Sequence, residues 1–335
     1  VNTKNLFNSN AQVFDAIIIG GGPAGISCAL ELTYCKINCL LVEKNRELGG
    51  QLLGIREVAN FAAGYFKDGT VLARNMTRLA ENMKLNLLLE HAVERIEISQ
   101  GTKVILINGE KYLAKSIVIA TGVRLKMLEL PGLSLVADDV LYRDQSAPEQ
   151  FSNMRVAIIG GGDNALDKAL ELAQTAGQVF LVNRSNRWRC RLDLLQAARQ
   201  NARIEILENV AVESLSGVGR LRSACLIDKS TGRIRNLSVD KLFIKIGYAP
   251  NTEALRGQIA LDSDGYIQAN SFGETSVPGV FAAGDVVSGV VPRIATACGT
   301  GSTVASALQL HLGARQQSEL RSIQHLNQDH VTAPA

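Results

Sequence analysis

Short runs of isoleucine, valine and leucine recur along this chain, separated by segments whose apolar residues fall at helical spacing. Residues 15–19 read Asp-Ala-Ile-Ile-Ile and predict a strand buried on both faces, because a parallel sheet covered by helices keeps no polar face. The spacing over 24–34 predicts a helix, and Cys39–Val42 a second strand that ends in Glu43. A helix is expected over 71–85 and a strand over 87–89. Between 93 and 113 the pattern changes to short alternating strands, with turn signals at Gln100-Gly101 and Asn108-Gly109. Residues 117–120 then form a strand running into Thr121-Gly122.

The same order returns 140 positions later, carrying Gly20-Gly21-Gly22 onto Gly160-Gly161-Gly162 and Ala29-Leu30-Glu31-Leu32 onto Ala169-Leu170-Glu171-Leu172. A strand over 156–159, a helix over 164–174, a strand over 179–182 and a meander over about 210–240 follow, and 242–246 runs into Gly247. Residues 279–285 predict a strand ending in Gly284-Asp285, followed by a helix over 300–311. Beyond 314 the chain is polar, and a flexible C-terminal tail (314–335) is expected. The fold class is therefore α/β: two Rossmann-like dinucleotide-binding domains of three-layer ββα architecture with β-meander insertions. The second domain (130–249) is inserted into the first (12–129 and 250–313).

Each glycine turn carries chemistry. In Gly20-Gly21-Gly22-Pro23-Ala24-Gly25 the glycines allow a tight turn and close backbone approach, and the helix that follows presents free N–H groups to a pyrophosphate. Glu43, about twenty residues on, is placed to accept hydrogen bonds from a ribose diol. Asp285 after Gly284 is an acceptor suited to a polyol. The second turn, Gly160-Gly161-Gly162-Asp163-Asn164-Ala165, repeats the phosphate site, but its second strand ends in Val182-Asn183-Arg184 without an acid. Arg184 suits a 2′-phosphate there, which favours NADP over NAD.

Composition narrows the classes further. A 46% apolar and 20% charged content is that of an ordinary soluble globular protein, and a net charge of +3 without basic–aromatic clusters argues against nucleic acid as a partner. No apolar run is long enough to span a bilayer, and the first dozen residues lack the pattern of a secretory signal. The six cysteines fit no metal-site spacing, and the cytoplasm is the expected compartment.

The turns and acids quoted, together with Leu48-Gly49-Gly50-Gln51, Asn60, Ala120-Thr121-Gly122 and 280–285, resemble the low-molecular-weight thioredoxin reductases. They are similar also to the ferredoxin–NADP reductases and diflavin-linked disulfide oxidoreductases of the same scaffold. The resemblance covers about residues 12–312 and implies FAD in the first domain, held by Gly20, Gly22, Pro23, Ala24, Gly25, Glu43 and Lys44. It further implies that Gly50, Gln51 and Asn60 approach the flavin ring and that Val93 meets the adenine through its backbone. Ala120, Thr121, Gly122, Gly284, Asp285, Ile294 and Ala295 complete that set, with Asp285 on the ribityl chain. NADPH is implied in the second domain, at Gly160, Gly162, Asp163, Asn164, Ala165, Arg184, Arg189 and Gly247. A homodimer through the FAD domain is implied as well.

Two departures matter. Reductases of this family carry a Cys-x-x-Cys pair where this chain, aligned on Val140-Leu141-Tyr142, reads Arg143-Asp144-Gln145-Ser146. Neither Arg143 nor Ser146 can exchange a disulfide, which needs a thiolate. Where the family reads His-Arg-Arg and a later arginine, this chain has Asn183-Arg184-Ser185 and Arg189. Losing one charge-assisted contact costs about 1.5–3 kcal/mol, a ten- to hundredfold weakening, unless Arg187 or Arg191 compensates. A pocket without its 2′-phosphate clamp leaves a second FAD open as the alternative occupant.

The expected activity is FAD-dependent electron transfer between NADPH and a small redox protein such as ferredoxin. Two alternatives stand beside it. One is a disulfide oxidoreductase acting on a thioredoxin-like partner through a non-standard cysteine, Cys298 being the candidate in the segment that starts the final helix, since a helix N-terminus is a place where thiols can be reactive. The other is a non-catalytic FAD-binding redox sensor.

Overall fold

The structure, a computed structural model, describes residues 13–98, 101–143 and 146–329, with side chains as far as 317. Gln100 of the first turn signal, Asp144 and Gln145 of the dithiol slot, and 330–335 of the expected tail lie outside the described residues. The chain divides into two units, one ending at Arg124 and resuming at Ala249, the other spanning Leu125–Tyr248. The first crossing comes earlier than 130 because Leu128, Leu130 and Leu133 pack into the core of the second unit.

The first unit is built on a seven-stranded sheet in the order Asn86–Leu88, Cys39–Val42, Val13–Ile19, Glu110–Ile119, Lys103–Ile107, Val93–Glu97, with Val280–Ala282 also paired to Glu110–Ile119. Val13–Ile19 lies parallel to both neighbours, so Ile18 stands opposite Leu41 on one side and Val118 on the other. Its side chains divide by face, as the two-residue period of a strand requires. Ala16 and Ile18 pack with Leu32 of the helix Pro23–Tyr34 and Leu308 of the final helix, while Ile17 and Ile19 pack with Ile105, Leu255 and Ile267. Burial on both faces explains why the strand reads as a continuous apolar run.

The second unit repeats the plan with an all-parallel five-stranded sheet: Ile204–Glu208, Gln178–Asn183, Arg155–Ile159, Lys241–Ile244, Val140–Leu141. One face holds the helices Asp163–Leu172 and Leu192–Gln200 through Leu166, Leu172, Leu194 and Leu195. The other holds a separate antiparallel meander, Val210–Gly217, Leu221–Asp228 and Ile234–Ser238, through Leu215, Leu226 and Leu237. In the first unit the meander is not separate: the ten-residue strand Glu110–Ile119 pairs antiparallel with Lys103–Ile107 along its first half and parallel with Val280–Ala282 along its second.

Several expectations are corrected. The final helix begins at Ile294, not 300, and runs to Asp329. Gly299 and Gly301 disguise its start. Gly301 is there because a side chain would meet the Ala24 carbonyl oxygen at 2.2 Å, so it marks a close helix crossing and not a break. The expected flexible tail is helical through Asp329 because 314–329 is rich in glutamine, leucine and arginine, all good helix formers, with no proline before Pro334. The helix expected over 71–85 is Gly69–Asn82, started by Asp68, whose carboxylate accepts the Thr70 N–H at 2.7 Å. The helix Leu192–Gln200 and the strand Ile204–Glu208 were not foreseen, although Leu194, Leu195 and Ala198 give the helical spacing and Ile204 and Ile206 the alternation.

Candidate nucleotide sites

In the first unit the turn after Val13–Ile19 brings Gly20 against the strand Glu110–Ile119. Gly20 has φ +111°, and a side chain on it would meet the Ala120 carbonyl oxygen at 2.3 Å. A side chain on Gly25 would lie 1.9 Å from the Gly20 carbonyl oxygen, so the helix starts in direct contact with the turn. Around Gly22, by contrast, the space is open. Pro23 opens the helix at a position whose N–H would have no helical partner, and its ring presets φ. The outcome is a helix N-terminus whose first N–H groups have no helical partner and, at Gly22, no side chain in the way, the geometry of an anion site.

Glu43 is only 6% exposed, and its carboxylate is shared. One oxygen accepts the Gly21 N–H at 2.7 Å, and the other accepts the Asn45 backbone N–H at 2.9 Å and side-chain amide at 2.7 Å. The acid thus braces the turn as well as standing at the strand end. Gly49 donates its N–H to the Gly21 carbonyl at 2.7 Å, which sets Gly50 beside Gly22. Thr121 is fixed by a reciprocal pair with Asn251: the Thr121 hydroxyl donates to the Asn251 carbonyl at 2.8 Å, and the Asn251 amide donates to the Thr121 carbonyl at 2.8 Å.

Asp285 closes the cradle. Its neighbour Gly284 abuts Ala24 and donates its N–H to the Thr300 hydroxyl at 3.0 Å. Among the described residues, Asp285 Oδ1 and Ser116 Oγ are the buried side-chain oxygens with no hydrogen-bond partner. Burial pushes the Asp285 carboxyl above the usual carboxylate range. A buried acceptor left unmatched is costly, and a ligand hydroxyl would satisfy it. The residues present fit a flavin dinucleotide: open glycines for the pyrophosphate, Glu43 at the ribose position and an orphaned acid for a polyol.

These contacts unite Gly20, Gly22, Ala24, Gly25, Glu43, Gly50, Ala120, Gly284 and Asp285. Ile294 and Ala295 occupy the first turn of the final helix, and Val93 opens its strand opposite Ile107. Gln51 lies in the short helical turn Gly50–Gly54, and Lys44 is exposed. Asn60 is exposed in the loop closed by the Val58–Phe66 pairing, with no hydrogen bond to the others.

In the second unit Gly160 repeats Gly20 closely, with φ +150° and a would-be side chain 2.3 Å from the Lys245 carbonyl oxygen. The third fingerprint position differs, since Ala165 stands fully buried where the first turn has Gly25. Asn183 occupies the slot of Glu43, with its amide 2.7–3.0 Å from where a Gly161 side chain would sit. It donates to the Arg187 carbonyl at 3.0 Å and so folds the following loop back. Sequence reasoning missed that bond, and the polar residue at the end of an apolar strand was its only signal. Asp163 accepts the Arg191 N–H at 2.7 Å, Asn164 is exposed, and Gly247 is exposed in the connection after the strand Lys241–Ile244, where its carbonyl accepts the Lys126 N–H at 3.0 Å.

The thiols are dispersed. All six cysteines are free; Cys28 and Cys39 are buried, and burial pushes both thiols up. Desolvation also raises the Cys190 thiol. None of these three makes a ready thiolate. Cys298 is half-buried in the second turn of the final helix. Arg143 is exposed, directly after Tyr142 at the carboxyl end of the second sheet. No group of histidine, cysteine, aspartate and glutamate suited to a metal ion occurs among the described residues, and no described helix is long and apolar enough to cross a membrane.

Residues 14–301 match the sequence profile of a family described as pyridine nucleotide-disulphide oxidoreductase. A thioredoxin reductase of Peptoclostridium acidaminophilum is 31% identical over 313 residues, 90% of this chain and 98% of that protein. The crystal structure of Lactococcus lactis thioredoxin reductase superposes with a TM-score of 0.78 at 27% identity, covering 90% of this chain and 99% of that one. The T. acidophilum thioredoxin reductase gives 0.74 at 30% identity, over 88% and 97%.

Proposed function

Because this chain belongs to the pyridine nucleotide-disulphide oxidoreductase family and is a flavin oxidoreductase, we propose that it works without a dithiol of its own, passing electrons from NADPH through FAD to a small redox protein such as ferredoxin. Thioredoxin reductase-like members of the family use FAD and NADPH. The flavin, when bound, supplies the hydride and single-electron chemistry, and the protein orients and tunes it. In this reading the N-terminus of Pro23–Tyr34 faces the pyrophosphate, Glu43 accepts from the ribose and Asp285 accepts from the ribityl chain. Gly160–Ala165 faces the NADPH pyrophosphate, and Arg184 and Arg189 meet its 2′-phosphate.

The observation that carries the reading is the dithiol slot. It holds Arg143 and Ser146, and the buried Cys28 and Cys39 offer no replacement thiolate. A partner that accepts single electrons directly fits such a site better than one needing disulfide exchange. Free thiols throughout support a reducing compartment such as the cytoplasm. Support for a homodimer through the first unit comes from Tyr34 and Leu310, 77% and 76% exposed on two of its helices.

The test has two parts. The cofactors released on denaturation are counted; one FAD per chain is expected, and two would assign the second pocket to flavin. NADPH oxidation is then coupled either to ferredoxin with cytochrome c or to thioredoxin with insulin. Turnover with ferredoxin and none with thioredoxin is expected. A gain of two thiols per chain on anaerobic reduction would instead favour a disulfide reaction through Cys298, and a flavin untouched by NADPH and by reduced ferredoxin would favour a sensor.

A further inference from the structure

We infer that Arg187 is a third guanidinium for the 2′-phosphate of the nicotinamide dinucleotide, brought into place by Asn183 and Ser185. This rests on the NADPH reading of the second unit. The family pattern puts an arginine at 185, and its replacement by serine reads from sequence as a lost contact. The loop geometry indicates a relocated one.

Asn183, 6% exposed, sits beneath the glycine turn and donates its amide to the Arg187 carbonyl at 3.0 Å. The Ser185 hydroxyl donates to that same carbonyl at 3.3 Å and accepts the Arg187 N–H at 3.3 Å. Three bonds thus fold 184–187 into a tight turn and hold the Arg187 backbone at the end of the strand Gln178–Asn183, where the ribose of a dinucleotide lies in this fold. Two residues on, the Arg189 N–H donates to the Gly161 carbonyl at 2.8 Å, so the far end of the loop is pinned to the phosphate turn.

Charge pairing separates the arginines of this loop. Arg191 is occupied: its guanidinium forks onto Asp193 at 3.2 and 3.1 Å, and its N–H goes to Asp163. Arg184, Arg187 and Arg189 are exposed and form no ion pair among the described residues, and no acid occurs between 184 and 192. Arg199 and Arg235 of the same unit both have carboxylate partners. Three unpaired guanidinia within six positions make a field that a dianionic phosphate satisfies, with each planar fork able to take two oxygens. A carboxylate in place of Asn183 would repel that phosphate and release Arg187.

The experiment uses the full chain with its flavin. Binding of 2′,5′-ADP and of 5′-AMP is measured by calorimetry, and KM and kcat are measured with NADPH and NADH. For Arg187→Ala a ten- to hundredfold loss of 2′,5′-ADP affinity and a matching rise in the NADPH KM are expected, with kcat, 5′-AMP binding and the NADH KM unchanged. Arg187→Lys, which keeps the charge and loses the fork, should fall between. Ser185→Ala should weaken 2′,5′-ADP two- to fivefold, because Asn183 still holds the turn. Arg233→Ala, in the meander, serves as the control and should change nothing. If Arg184→Ala weakens 2′,5′-ADP and Arg187→Ala does not, the inference falls and the NADPH reading stands. If the unaltered protein binds 2′,5′-ADP no better than 5′-AMP, both fall.

Discussion

The two glycine turns share a backbone and differ in what braces them. In the first unit a carboxylate, Glu43, accepts the Gly21 N–H at 2.7 Å and draws the strand end toward the turn. In the second an amide, Asn183, fills the same slot and donates outward to the Arg187 carbonyl at 3.0 Å. The first arrangement puts negative charge where a ribose diol donates hydrogen bonds, and the second removes it and gathers guanidinia. The helices differ too. Gly25 admits no side chain, whereas Ala165 is accommodated, so the first helix lies closer to its turn than the second. In the proposed reading one repeated motif serves two nucleotides, and the contacts that discriminate them lie at the end of the second strand and not in the glycines.

Exchanging the third fingerprint residue tests this contrast most severely. In Gly25→Ala the new carbon falls 1.9 Å from the Gly20 carbonyl oxygen. Overpacking against backbone costs on the order of 3 kcal/mol, so thermal unfolding should shift sharply downward and the purified protein should lose its flavin. The reverse change, Ala165→Gly, should cost only about 1 kcal/mol. Equal effects of the two changes would show that the helices lie at the same distance from their turns.

Next in size is the orphaned acid. Asp285→Ala removes an acceptor worth about 1.5–3 kcal/mol to a bound hydroxyl, so FAD should bind ten- to hundredfold more weakly in a fluorescence titration. Without flavin the sign reverses. Burial raises the Asp285 carboxyl in the folded chain, so the folded state binds the extra proton, and stability is lost as pH rises from the ordinary carboxyl range through the raised value. Flavin-free Asp285→Asn should therefore melt higher than the flavin-free parent at neutral pH. The second unit offers no matching orphan among the described residues.

Asn183→Asp sharpens the comparison at the strand end. It removes the donor to Arg187 and adds a charge that repels a 2′-phosphate, so the NADPH KM should rise about tenfold while the NADH KM falls or holds. An unchanged ratio would mean that the amide does not govern the choice.

The smallest effect is a pH slope. His311 stacks edge-on against Phe281 with ring centroids 5.8 Å apart, and burial, then Lys103 and Arg315, hold its imidazole below the ordinary value. Glu274 opposes them. In the window between the ordinary value and the lowered one, the unfolded chain binds more protons than the folded one, so stability falls on acidification below about pH 6.5. His311→Gln should flatten that limb in chemical denaturation. The second unit contains no histidine, so a slope that survives must come from carboxylates or from the remaining histidines.

Most of the scaffold was legible. Apolar runs such as 156–159 and Cys39–Val42 could be read because parallel strands buried on both faces leave a continuous signature, and the 140-residue repeat fixed the element order. Elements near glycine and at weak amphipathic segments were misread. Gly299 and Gly301 hid six residues of helix, because the close packing of Gly301 on Ala24 and a helix break look alike in one dimension. The resemblance alone points to Asn60 and Val93, and no hydrogen bond among the described residues ties Asn60 to the cradle.

The sequence by itself determined the two glycine turns, the acid at 43, the acid at 285 and the Arg143 and Ser146 that follow Tyr142, since each is a matter of residue type at a fixed spacing. Only the tertiary structure decided that Asp285 is left with an unmatched oxygen, that Gly25 and Gly301 are steric necessities, and that Ser185 and Asn183 fold Arg187 back to the strand end. Those facts depend on distances between segments far apart in the chain or on the path of one loop, and spacing along a sequence carries neither.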